Sequence, residues 1–143
     1  MDLAIAIISG TVIGATPLIF AALGELVVER SGVLNLGIEG MMLIGAVTAF
    51  GVAFAGYSPI LAALVAMLAG ATAALLFAIL ALTLMANQYA AGLALTLFGA
   101  GLSTFLGHGF GAAPLTAITQ ISIPFLSSIP VIGPLLFRYD PMV

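Results

Sequence analysis

From Gly40 to Phe137 the chain carries no Asp, Glu, Lys or Arg. A soluble domain has about 25% charged residues, and each of its surface elements needs a polar face toward water. So long a stretch without charge has no such face. Its solvent is hydrocarbon. Over the whole sequence 64% of residues are hydrophobic and 5% charged, and the mean hydropathy is +1.38. The sequence is that of an integral membrane protein.

Backbone polar groups must be satisfied internally in a bilayer, so the choice lies between helices and a closed barrel. Barrel strands alternate apolar and polar residues over about 10 positions. Residues 60–84 do not alternate, so the fold class is all-α. Four spans are expected, over residues 3–28, 36–55, 60–85 and 90–106, in a single transmembrane domain of residues 1–143. A long Pro-rich loop, 107–143, follows them, with short strand-like pieces such as Ile121-Ser122-Ile123. The start, Met1-Asp2-Leu3, lacks the basic region of a signal peptide, so the first span is expected to be retained.

Several function classes drop out. Two basic residues do not make a nucleic-acid surface or an anionic-lipid patch. With no cysteine there is no disulfide, thiol catalysis or Cys-ligated metal. His108 stands alone among glycines, which supports neither a metal site nor a triad. No phosphate-binding G-x-x-x-x-G-K-[ST] loop occurs, and Ser103 has no local base.

Small residues mark helix-packing faces. Gly10 and Gly14 stand four apart on the first span, and Ala66, Gly70 and Ala74 form a stripe on the third. Gly99, Ser103 and Gly107 do the same on the fourth. Pro17 removes a helical hydrogen bond and is expected to kink or divide the first span. Asn87 and Gln88 read as solvated turn residues.

The polar exception is the stretch from Glu29 to Gly40, between the first two spans. Charges inside a membrane protein are costly and have a partner or a task. Glu25 and Glu29 share a helix face and could hold a proton, or be neutralised by Arg30 or by basic residues of a partner. Arg30 paired with Glu29 or Glu39 would make a gate. Gly32, Gly37 and Gly40 fit either close helix packing or a broken helix whose backbone lines a pathway. Asn35 is the polar group there expected to face such a pathway.

The run Glu29-Arg30-Ser31-Gly32-Val33-Leu34-Asn35-Leu36-Gly37-Ile38-Glu39-Gly40-Met41-Met42 resembles the signature of ABC importer permease subunits. The likeness is to the nucleoside (basic-membrane-protein-associated) branch of the branched-chain amino acid and ribose permease family. Ala15-Thr16-Pro17-Leu18, Ala86-Asn87-Gln88 followed by Gly92-Leu93-Ala94-Leu95, and Ile129-Pro130-Val131-Ile132-Gly133-Pro134 carry it along the chain in order.

The resemblance implies the N-terminal part of a permease roughly twice this long, with about eight to ten helices. It implies a bacterial plasma-membrane protein working with a second permease subunit, two cytoplasmic ATP-binding subunits and an external substrate-binding protein or lipoprotein. ATP and Mg would sit on those partner subunits, with no cofactor in this chain. Arg30 and the Asn87 turn would face the cytoplasm, and the N-terminus, the Tyr57 turn and the long loop the outside. The expected function is import of nucleosides or a related small polar solute by alternating access, without catalysis in this chain. The rival reading is a small oligomeric antiporter exchanging protons through Glu25 or Glu39. An intramembrane hydrolase lacks a nucleophile and a base.

Overall fold

In a computed structural model of the chain, the described residues are 2–110, 121–122 and 138–139. Their architecture is helical: α1 (Asp2–Arg30), α2 (Ile38–Phe54), α3 (Pro59–Ala78) and α4 (Gln88–Gly107). Three helices are long and apolar enough to cross a membrane: Ile7–Arg30, Pro59–Thr83 and Gln88–Gly107. From residue 111 onward the expected Pro-rich loop lies outside the described residues, except for two dipeptides. Ile121–Ser122 pairs antiparallel with Arg138–Tyr139, with Ile121 opposite Tyr139.

The chain divides into two compact units. The first holds residues 1–22 and 116–143, hence most of α1 and the short strand pair. Here α1 stays helical through Pro17, where a kink or break was expected. Thr16 donates its hydroxyl to Val12 O at 2.9 Å, a local bond in the turn before the proline. Leu3, Leu18 and Phe20 are all more than half exposed, so the helix is apolar all round, as a lipid-embedded element is.

The second unit, residues 23–115, holds the end of α1 and helices α2 to α4. Side chains and glycines set the ends of these helices. Gly32, at φ 83°, ends α1: its N–H donates to Glu29 O and that of Val33 to Val28 O. Gly56, at φ 85°, ends α2 the same way, with bonds to Ala53 O and from Tyr57 to Val52 O. Both are Schellman stops, which need a residue with φ above zero. Ser58 caps α3 through Leu61 N, with Pro59 in the first turn, and Asn87 caps α4 through Ala90 N.

α3 does not end cleanly. It widens into a π-helical turn, Ile79–Thr83, and the chain then turns through Met85 at φ 50°. Leu84 N donates to Ile79 O and Ala86 N to Leu80 O, which satisfies the widened turn.

α2 packs between α3 and α4. The core is Ile44 of α2, Ala73 and Phe77 of α3, Ala81 of the π turn, and Ala91 and Leu95 of α4. Small residues let the backbones approach, which is how helices gain contact where hydrophobic burial gives little drive. The inward face of α3 meets the expected stripe at Ala66, whose carbonyl oxygen would lie 3.6 Å from a Cβ on Gly45 of α2, and departs from it elsewhere. Ala62, Ala73 and Phe77 are buried, Ala74 is exposed, and a Cβ on Gly70 would meet nothing within 4 Å. Gly10 and Gly14 likewise have no neighbour at that range among the described residues.

Candidate functional site: an unwound segment docked on α4

With 17 residues α2 is about 25 Å long, short of the ~30 Å hydrocarbon core. The chain that joins it to α1, from Ser31 to Gly37, is non-helical backbone. Irregular backbone at membrane depth is tolerated only when it is buried in protein or lines a watery cavity. Its polar groups must find partners, and here side chains supply them.

Leu34 N donates to Gln88 Oε1 at 2.9 Å and Asn35 N to Glu25 Oε1 at 2.8 Å. Leu36 O accepts from the Thr96 hydroxyl at 2.8 Å. Gly37 N donates to Asn35 Oδ1 at 2.9 Å, a local bond that leads into α2. Two helices, α1 and α4, and the segment itself thus replace the missing helical ladder.

One face of α4 receives the segment: Gln88, Gly92, Leu95, Thr96 and Gly99, at three- and four-residue spacing. A Cβ on Gly92 would lie 2.8 Å from Leu36 N, and one on Gly40 would lie 2.7 Å from Thr96 Cα. No real Cβ contact is that short, so glycine is required at both places. Gly37 is enclosed less severely: a Cβ there would meet the end of the Leu95 side chain at 2.9 Å and the Gly92 carbonyl oxygen at 3.2 Å.

The residues singled out from sequence are not all brought together. Gly37 and Gly40 are buried in the contact with α4. Gly32 is exposed and makes the turn. Asn35, expected to face a pathway, is 7% exposed, and its amide is engaged locally by Gly37 N and, at 3.7 Å, by Met41 Sδ.

Glu29, Arg30 and Glu39 are exposed. Arg30 ends α1 and Glu39 opens α2, so each charge suits the helix dipole beside it. Among the described residues no ion pair joins Arg30 to Glu29 or Glu39. Glu25 is half-buried, and its second oxygen, Oε2, is enclosed without a hydrogen-bond partner among those residues.

Sequence reasoning missed Gln88, Thr96 and Gly92. Gln88 is half-buried and reaches the segment rather than standing solvated, whereas Asn87 is exposed and caps α4. The signal available was the three- and four-residue spacing of Gln88, Gly92, Thr96 and Gly99 on one helix.

The far end of the α2–α4 pair differs in character. An open cavity of about 280 Å³ is lined by Ala46, Val47, Phe50, Ser103, Gly107 and Phe110. The Phe110 ring lies 5.5 Å from those of Phe50 and Phe54 and covers Gly51. Ser103 gives this apolar cavity a hydroxyl. Among the described residues no group of three or more His, Cys, Asp or Glu could hold a metal.

Known proteins share this sequence pattern. The chain is 40% identical, over 96% of its length, to a putative glucose ABC transporter permease protein of Haloferax volcanii. It is 37% identical over 92% of its length to a guanosine ABC transporter permease protein of Bacillus subtilis. A nucleoside ABC transporter permease protein of Lactococcus lactis is 36% identical over the same share. The chain spans 43–44% of the length of these curated relatives. No solved structure matches it. Residues 7–134 match the family model described as the permease component of branched-chain amino acid transport systems, and the chain belongs to that family.

Proposed function

We propose that this chain is part of the transmembrane subunit of an ABC importer, translocating nucleosides or a related small polar solute by alternating access. The observation that carries this reading is the non-helical segment that joins α1 to α2. The amides of Leu34 and Asn35 are held by side chains of neighbouring helices, and that of Gly37 by the segment's own Asn35, instead of by a helical ladder. Transporters use broken helices where solute passes, because unwound backbone can change its partners as helices move. Nucleosides lead the candidate solutes because two relatives carry guanosine and nucleoside in their names; a third names glucose.

The subunit lies in the plasma membrane. Its partners would be a second permease subunit, cytoplasmic ATP-binding subunits that hold ATP and Mg, and an external substrate-binding protein or lipoprotein. This chain contributes passage and no bond-breaking step. The proton antiporter reading finds no support, since all three relatives are named as permeases of ABC transporters.

The test uses the full-length permease assembled with its ATP-binding and substrate-binding partners in proteoliposomes. Uptake of labelled guanosine, glucose and a branched-chain amino acid is measured with and without ATP. ATP-dependent guanosine uptake supports the reading. Glucose or amino acid uptake alone changes the solute. Uptake driven by a pH gradient without ATP overturns the mechanism.

A further inference from the structure

The two acceptors that hold the unwound segment sit on different helices yet receive adjacent amides. Glu25 of α1 takes Asn35 N–H and Gln88 of α4 takes Leu34 N–H. Leu34 and Asn35 are neighbours in the chain, yet their amides reach acceptors on two different helices, so the segment is gripped by both. A carboxylate and a neutral amide perform the same task at matching distances, 2.8 and 2.9 Å. Among the described residues no cation pairs with Glu25, and its Oε2 has no donor. What the geometry asks of Glu25 is an acceptor oxygen, not a charge.

We propose that Glu25 and Gln88 are positioning residues, a two-sided clamp that ties the end of α1 and the start of α4 to one non-helical segment. Movement of either helix then moves the segment, and Glu25 acts through its hydrogen bond. The inference rests on reading residues 33–37 as a pathway element, but its test reads position and not transport.

The chain has no cysteine, so a single introduced thiol reports cleanly. The full-length permease in its complex, with any cysteine elsewhere replaced, carries Leu34→Cys, which leaves the backbone amide in place. Labelling by a soluble maleimide is timed in membranes. Glu25→Ala and Gln88→Ala each speed labelling about five- to tenfold, the worth of one net hydrogen bond. Glu25→Gln, which keeps an acceptor oxygen, stays within about twofold of the parent.

Equal acceleration by Glu25→Gln and Glu25→Ala would overturn the proposal, because the charge would then be what matters. Unchanged labelling in both alanine variants overturns it as well. If Glu25→Ala fails to assemble, Gln88→Ala and Glu25→Gln decide alone. ATP-driven uptake is recorded in parallel. Fast labelling with undiminished uptake upholds the clamp and removes the segment from the pathway.

Discussion

Gly40 of α2 and Gly99 of α4 meet backbone against backbone: a Cβ built on Gly99 would lie 2.7 Å from the Gly40 carbonyl carbon. No other side chain fits there. Alanine at either position forces the helices apart and loosens the Leu95 contact in the core. Gly40→Ala or Gly99→Ala is expected to cost about 1–3 kcal/mol. Gly70→Ala, in open space within the described residues, is expected within about 0.5 kcal/mol of the parent. Thermal unfolding of the purified complex in detergent measures the contrast.

Thr96 donates to Leu36 O across the segment. Valine has the same shape without the hydroxyl. Thr96→Val is expected to cost about 1 kcal/mol, and Thr96→Ser to recover most of it. The same melting experiment checks both, and a loss of equal size in the serine variant would point to the methyl group instead.

Gly32 closes α1 at φ 83°. An L-residue with a Cβ is disfavoured there by about 1–2 kcal/mol, and asparagine less so. Gly32→Ala is expected to destabilise more than Gly32→Asn. Limited proteolysis at the α1–α2 junction reads this locally, as faster cleavage of the alanine variant.

Arg30 and Glu39 bracket the unwound segment without touching. A double-mutant cycle with Arg30→Ala and Glu39→Gln is expected to be additive within about 0.5 kcal/mol. A larger coupling in the melting midpoints would restore the gate expected from sequence.

The stretch from Glu29 to Gly40 stood out because charge and glycine interrupt hydrocarbon-loving sequence, and that contrast survives without any structure. Close packing, one of the two readings open for Gly32, Gly37 and Gly40, is what Gly37 and Gly40 show, whereas Gly32 ends a helix instead. The partners of the segment did not follow from the contrast. Gln88 and Thr96 lie 54 and 60 residues from the groups they bond. In helices apolar on every side, periodicity does not tell which face meets protein. That is why the inward row of α3 runs through Ala62, Ala73 and Phe77 rather than through Gly70. Asn35 was conspicuous for its polarity, yet a short amide beside a glycine is equally suited to closing a turn on its own backbone.

The coil at residues 33–35 also stores length. Fully extended backbone advances about 3.3 Å per residue and helix 1.5 Å, so winding these three would draw the two flanking rods together by at most about 5 Å. A chain built this way can take up or pay out slack between two rods without stretching a covalent bond.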